Sequence, residues 1–259
     1  MKVKELLKEH GIEPNKRLGQ SFLVSENIAT RIVEVCEIMP DDVIVEVGAG
    51  LGILTEQLCA CGNRVLAIEK DPMLFEFLVK RFKDAKNLTI LNKDILSLKL
   101  STLKFATLKL ISNLPYSITS DFLYWVLGNR NYIHSCVITL QREVASRIYA
   151  KPGTKSYGAI SVVLQFCMEI KPLFLIHGNY FFPKSKVMSQ VILLKPKPLN
   201  ITVNERSFFK IVRTAFARRR KQLKNSLNLK VDVLGGIDLS RRPETLGCEE
   251  FIRLTNAID

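Results

Sequence analysis

Val43-Ile44-Val45-Glu46-Val47-Gly48-Ala49-Gly50-Leu51-Gly52 is the stretch that decides the fold. Its first half is an apolar, β-branched run broken only by Glu46, the pattern of a strand buried on both faces. Alternating glycines then make a tight turn, and Leu51–Ala60 carries helical periodicity. Strand, glycine turn and helix in that order open a nucleotide-type cofactor site, because glycines let backbone approach a ligand closely. The alternation repeats downstream. Arg64–Ile68, Leu88–Leu91, Leu108–Ile111 and Ile133–Leu140 read as strands, with helices such as Pro72–Phe82 fitting between them. Such alternation predicts βαβ units and an α/β fold with a mainly parallel sheet. Upstream, a short opening helix and a loop from Lys16 to Leu23 precede a helix from Ser25, a good N-cap, to about Glu37.

Two later apolar runs, Cys167–Ile176 and Val187–Leu194, have Gly178 and Pro183 between them and are expected to form an antiparallel pair at the sheet's edge. Lys195-Pro196-Lys197-Pro198 reads as a linker, since its prolines forbid helix and its lysines keep it solvated. Beyond it Phe208, Val212, Ala215, Phe216, Leu223 and Leu227 fall near helical spacing. The expected organisation is an α/β domain over 1–197 and a small helical C-terminal domain over 198–259.

The chain has 259 residues, 47% hydrophobic and 24% charged, values of a soluble globular protein with ample core. No apolar stretch approaches the roughly 18 residues needed to span a bilayer, and the start lacks a secretory hydrophobic region. A cytoplasmic location without membrane attachment is expected. Six scattered cysteines look like reduced thiols, and Cys59-Ala60-Cys61, the one close pair, has no His partner nearby, so no metal site is expected. Nothing calls for an oligomer, and a monomer is expected. The net charge of +13 is more telling. Between Ile201 and Lys230 stand nine Lys or Arg against the single acid Glu205, the footprint of a polyphosphate partner. Arg218, Arg219, Arg220, Lys221 and Lys224 are the candidate RNA contacts, with Arg218–Lys221 continuing an amphipathic helix. A solvated charged face is the duller alternative.

Spacing narrows the cofactor. A dinucleotide site wants G-x-G-x-x-G, but Ile53 stands at the third position and Gly52 falls one residue early. A P-loop Lys-Ser/Thr pair is missing as well. Glu46 would repel a pyrophosphate and suits a cation. S-adenosylmethionine, with a sulfonium, an ammonium, a ribose, an adenine and no phosphate, fits. Glu69 ends the second strand, where a carboxylate can accept from both ribose hydroxyls, and Asp94 follows the third, placed to accept from an adenine amine. Either acid alone could be a helix N-cap, the kind of signal Asp71-Pro72 gives. After the fourth strand comes Asn113-Leu114-Pro115-Tyr116. For a planar base with an exocyclic amine, Asn113 and the Leu114 carbonyl are acceptors, Pro115 aims that carbonyl, and Tyr116 offers a stacking face. The alternative is an ordinary strand-ending turn.

These motifs together resemble the family of rRNA adenine dimethyltransferases. The resemblance runs through Leu18-Gly-Gln-Ser-Phe-Leu23, Glu46–Gly52, Glu69, Asp94, Asn113–Tyr116 and Gln141–Arg147. It continues through Tyr157-Gly158, Phe181-Phe-Pro183, Val187-Met-Ser189, Phe216–Lys221 and Asn225-Ser-Leu227. It implies a Rossmann-like class I methyltransferase sheet that uses S-adenosylmethionine. Gln20, Ser21 and Leu23 would help close over the cofactor, and Gly48 and Gly50 would line its methionine end. Glu69 would hold its ribose, and Asp94 with Ile95 its adenine. Asn113, Leu114 and Tyr116 would handle the target adenine, with Phe181 stacking on its other face. The substrate implied is small-subunit ribosomal RNA or its precursor particle, dimethylated at adenine N6 in two rounds. Ser21 and Ser185 depart from the commoner residues of relatives. Three rivals bear on the same residues. A large-subunit adenine methyltransferase would present the same site, and a non-catalytic RNA-binding assembly or transcription factor would have no need of it. A dehydrogenase fails on glycine spacing.

Overall fold

The computed structural model describes residues 3–15, 19–103, 105, 107–198 and 203–259. Lys16, Arg17 and Leu18 of the first loop, and Ile201 at the start of the basic segment, lie outside the described residues. The strands that position the site are β1 (Phe22–Leu23), β2 (Val43–Val47), β3 (Arg64–Glu69), β4 (Leu88–Asn92), β5 (Leu108–Asn113), β6 (Ile133–Gln141), β7 (Met168–Ile176), β8 (Phe181–Phe182) and β9 (Ser189–Pro196). The helices are α1 (Val3–Glu9), α2 (Glu26–Glu34), α3 (Ile53–Ala60), α4 (Pro72–Arg81), α5 (Thr119–Gly128), α6 (Arg142–Ile148), α7 (Ala159–Cys167), α8 (Glu205–Ala217), α9 (Leu223–Leu227) and α10 (Cys248–Ile258).

The chain divides into two compact units, Met1–Arg142 with Lys171–Pro196, and Glu143–Ile170 with Lys197–Asp259. A unit edge falls between Pro196 and Lys197, inside the proline-rich segment. Residues 143–170, assigned to the first domain from sequence, cluster with the second unit instead. The reason is α7: Phe166 stacks on Phe208 of α8 at 4.2 Å between ring centroids. Phe208 and Phe251 are both fully buried, and Tyr157 donates its hydroxyl to the Leu246 carbonyl at 2.9 Å.

In the first unit the sheet order is β4-β3-β2-β5-β6-β9-β7. Pairs β2–β3, β2–β5, β3–β4 and β5–β6 are parallel, and β9 runs antiparallel to β6. Ile44 and Val45 are 0% exposed, as a strand covered on both faces requires. After β2 the chain builds β3 and β4 to one side, then returns to lay β5 on the other. That reversal is a topological switch point, where open α/β sheets bind ligands beyond the strand ends. Register aligns Val47 with Ile68 and with Ser112, so Gly48, Glu69 and Asn113 emerge side by side.

Several boundaries differ from the sequence reading for local reasons. The fourth parallel strand continues past Ile111 through Asn113, because its pairing with β6 extends to Asn113↔Thr139. Cys167 closes α7, and its strand begins at Met168. The run from Val187 becomes a strand only at Ser189 and reaches Pro196, taking half of the linker with it. Of the expected edge pair, β9 lies inside against β6 and β7 outside. Helix α3 starts at Ile53 because Gly52 sits at φ 78° as its N-cap. A Cβ there would lie 2.5 Å from Phe82 Cε2 and 2.9 Å from Leu78 Cδ2. Gly52→Ala is therefore expected to cost about 2–4 kcal/mol, from left-handed strain plus overpacking. Urea unfolding measures this, and a parent-like midpoint would show that the turn relaxes.

Candidate active site

Beyond the ends of β2, β3 and β5 lies a crevice of about 310 Å³, lined by the glycine turn, Glu46 of β2, Glu69 at the end of β3, Asp94 after β4, and Asn113, Leu114 and Pro115. Gly48 and Gly50 have φ of 75° and 58°. The turn is tied down from the neighbouring strand: Gly48 N–H donates to the Ile68 carbonyl at 2.8 Å. Gly50 N–H donates to Glu69 Oε2 at 2.9 Å. Asp71 N–H donates to the other oxygen, Oε1, also at 2.9 Å. Two backbone donors thus clamp one carboxylate and aim its remaining lone pairs at the crevice.

Glu46 is 1% exposed and accepts from Thr55 Oγ1 at 2.6 Å. Burial pushes its pKa up to about 7; the Thr55 hydroxyl opposes the shift and the charge of Glu69 adds to it. Burial also raises Glu69, against the pull of the Asp71 and Gly50 N–H groups. Two carboxylates that resist ionisation at one crevice floor are suited to a cation, which would relieve both. This is where the sequence expectation of S-adenosylmethionine meets the geometry, and the two fit: buried acids at the crevice floor, and left-handed glycines that keep side chains out of the way. Asp94 differs. Burial disfavours its charge, but Lys70 Nζ at 2.7 Å and the Leu96 N–H at 3.0 Å outweigh burial and lower its pKa. It is the N-cap of a short 3-10 turn as well as a crevice residue, with buried Ile95 beside it.

The base-side tetrapeptide abuts the glycine turn. A Cβ on Gly48 would lie 3.9 Å from the Asn113 carbonyl oxygen and from Pro115 Cδ. Among the described residues no hydrogen bond engages the Asn113 side-chain amide, whereas a turn-forming Asn bonds its own backbone. Leu114 is buried, and Pro115 sits at φ −56°, ψ 133° before a 3-10 turn over Tyr116–Ile118. Tyr116 is half-buried beside the crevice, its hydroxyl 2.6 Å from Ser189 Oγ. Phe181 requires a correction. Its ring is 3% exposed and belongs to the apolar cluster of Leu23, Ile176 and Val191. The cause is β8, which pairs Phe181 with Leu23 and turns both side chains into the core. In this conformation it offers no face to a base.

The segment containing Gln20, Ser21 and Leu23 straps the two sides together. Gln20 Nε2 donates to Asp71 Oδ2 at 2.9 Å, Ser21 Oγ to the Pro183 carbonyl at 3.3 Å, and Val24 N–H to the Tyr180 carbonyl at 2.9 Å. The sequence reading missed three participants. Asp71, read only as an N-cap, caps α4 through Oδ1 and also holds Gln20. Lys70 gave no separable signal, and Ser189, although it ends one of the motifs that carry the resemblance, suggested no role, because their partners are neighbours only in space. His10, His134 and His177 do not line the crevice. Among the described residues no group of three or more His, Cys, Asp or Glu is arranged to hold a metal ion.

The basic run belongs to the second unit. It does not continue α8, which ends at Ala217; Arg218, at φ −121°, ψ 48°, leaves the helix, and Lys221 N–H turns back to its carbonyl at 2.8 Å. Arg218, Arg220 and Lys221 are exposed. Arg219 is drawn to the Thr154 carbonyl at 3.3 Å and to Glu244 at 3.9 Å, and Lys224 to Asp232 at 2.7 Å.

Comparison with known proteins agrees with this arrangement. Residues 11–236 match the family model for ribosomal RNA adenine dimethylase. The chain is similar to the ribosomal RNA small subunit methyltransferase A of Thermotoga neapolitana, at 40% identity over 256 residues, 99% of this chain and 96% of that protein. The protein of the same name from Bacillus cytotoxicus is 35% identical over 278 residues, 99% of this chain and 95% of that one. Among solved structures, a dimethyladenosine transferase from Plasmodium falciparum aligns with a TM-score of 0.75 at 21% identity, over 90% of this chain and 95% of that one. The 23S rRNA methyltransferase ErmE aligns with a TM-score of 0.71 at 24% identity, over 92% and 99%. These two likenesses establish the fold as the class I methyltransferase type. The family match spans the glycine turn, both strand-end acids and the tetrapeptide after β5, and the chain therefore belongs to the ribosomal RNA adenine dimethylase family.

Proposed function

We infer that this protein transfers methyl groups from S-adenosylmethionine to the N6 amine of adenines in small-subunit ribosomal RNA, giving N6,N6-dimethyladenosine. The observation that carries the reading is the abutment of Gly48 and the tetrapeptide across the switch point, where a Cβ on Gly48 would lie within 4.0 Å of Asn113, Leu114 and Pro115. A donor held by the first would meet a base held by the second. The names of the relatives at 35% and 40% identity favour the small subunit over the large one.

Each residue has a role in this reading. When bound, S-adenosylmethionine supplies a methyl group made electrophilic by its sulfonium. Glu69 receives the ribose hydroxyls, Glu46 complements positive charge, and Asp94 with Ile95 borders the adenine. Gln20, Ser21 and Leu23 close the strap over that side. Adenine's amine is a weak nucleophile because its lone pair is delocalised into the ring. Asn113 Oδ1 and the Leu114 carbonyl accept hydrogen bonds from its N–H groups, two in the first transfer and one in the second, favour the pyramidal amine and stabilise the positive charge that develops on it. No strong base is needed, since the proton turns acidic once the new bond forms. Tyr116 supplies the stacking face for a base taken out of its helix. Arg218, Arg220 and Lys221 meet RNA phosphates, whereas the partners of Arg219 and Lys224 give those two a larger part in holding the second unit. The protein acts as a monomer in the cytoplasm on a precursor of the small subunit.

A pH dependence follows from Glu46. Its pKa stands at about 7 because burial disfavours the carboxylate, and a cationic ligand prefers that carboxylate. Ligand affinity should therefore rise as pH climbs toward about 7 and level off above it. Glu46→Gln should flatten the rise to what Glu69 contributes. Calorimetric Kd values across this range check it, and affinity that falls with rising pH would reverse the assignment.

The function itself is tested by incubating the protein with labelled S-adenosylmethionine and unmethylated small subunits, then mapping modified nucleotides. Dimethyladenosine in small-subunit RNA is expected. Label confined to large-subunit RNA would move the substrate, and cofactor binding without transfer would make the chain a non-catalytic RNA-binding factor.

A further inference from the structure

We propose that Ser189 is a positioning residue: its hydroxyl anchors the far end of the Tyr116 ring and thereby holds in place the face on which the target base stacks. This rests on the stacking role given to Tyr116 above. The two oxygens lie 2.6 Å apart. Ser189 is 0% exposed and opens β9, where it pairs across from Gln141 of β6. The adjoining Met188 carbonyl accepts from Arg142 N–H at 2.9 Å, so the serine stands on a framework held on both sides.

Tyr116, by contrast, sits on a loose support. Its 3-10 turn follows a proline and is closed by an Ile118 N–H to Pro115 carbonyl bond of 3.3 Å. A tyrosine ring swings about its first side-chain torsion, and fastening it at the hydroxyl stops that swing. A phenylalanine would give the same π-face with nothing to hold its position. Stacking and the reach of the amine both depend on that position, and a small misplacement at a reacting centre costs far more rate than binding. Ser189 thus gives a reason for the hydroxyl on a residue whose proposed work is done by the ring face.

The test is a double-mutant cycle of Tyr116→Phe and Ser189→Ala, reading kcat, S-adenosylmethionine Kd and thermal midpoint. Each single change should lower kcat about tenfold, the scale of one lost hydrogen bond felt in the transition state. The double variant should be no slower than the slower single, because both changes remove the same bond. Kd should stay within about twofold of the parent, since neither group touches the cofactor side. Tyr116→Phe removes the bond from the other end and keeps the test valid if Ser189→Ala folds poorly. Full activity in Ser189→Ala, a multiplied loss of about a hundredfold in the double variant, or Kd rising in step with the rate loss would each overturn the proposal. Tyr116→Ala separates the two levels. If that variant keeps its kcat, the stacking reading itself falls; if it loses kcat while Ser189→Ala does not, only the anchoring role falls.

Discussion

Asn113→Ala is expected to lower kcat by roughly two to three orders of magnitude at saturating RNA and cofactor, the cost of removing one preorganised group facing developing charge. The side chain ends β5 next to Gly48, and among the described residues its amide is not engaged by the protein. That is a costly way to build a turn and a sound way to build a receptor for an amine. Asn113 also lines the crevice proposed for the cofactor, and the variant separates the two duties. If the amide acts on the base, S-adenosylmethionine Kd moves by no more than about threefold while kcat collapses. If it mainly holds the cofactor, Kd and kcat fail together and the base-side role is lost. Asn113→Asp, which keeps an acceptor at the same reach, should retain more activity than Ala. Because the pairing of Asn113 with β6 is through backbone, neither change should alter the unfolding midpoint much.

The sheet and the crevice residues at its strand ends are legible in the sequence for one reason. Parallel strands announce themselves as apolar runs, and whatever follows the last apolar residue must lie at the sheet's ligand edge. Glu69, Asp94, the glycine turn and Asn113 are all found by that rule. The rule fails where a position is decided by a partner distant in the chain. Phe181 reads as a loop aromatic available to a base, yet pairing of β8 with β1 buries it with Leu23. Lys70 follows Glu69 directly and looks like a solvated lysine until β4 brings Asp94 within 2.7 Å. The Arg218–Lys221 run looks like more helix, but the chain turns at Arg218 and two of the five candidate cations take internal acidic partners. Domain assignment is decided the same way: no composition break marks residue 143, and contacts distant in the chain, such as Phe166 on Phe208 and Tyr157 to Leu246, draw 143–170 into the second unit.

Glu69→Gln, nearly isosteric, is expected to weaken S-adenosylmethionine binding about a hundredfold, more than loss of a single neutral hydrogen bond allows. Both carboxylate oxygens are already committed to N–H donors, Gly50 to one and Asp71 to the other, each at 2.9 Å. A glutamine has one acceptor oxygen, so its amide nitrogen must face one of those N–H groups, donor against donor. Relief requires the Gly50 turn or the start of α4 to shift, and either movement deforms the crevice wall from which the cofactor would be held. The same swap removes the acceptor capacity proposed for the ribose hydroxyls. The carboxylate is costly in the ligand-free protein, where burial already raises its pKa. Replacing it by a neutral group should leave stability close to the parent's while affinity fails, which is the signature of a group kept for binding at the expense of the fold. Calorimetric Kd and urea midpoints measured on one preparation decide it. Parent-like affinity in Glu69→Gln would remove Glu69 from the cofactor site, and unfolding in step with lost binding would make it a structural clamp for the glycine turn.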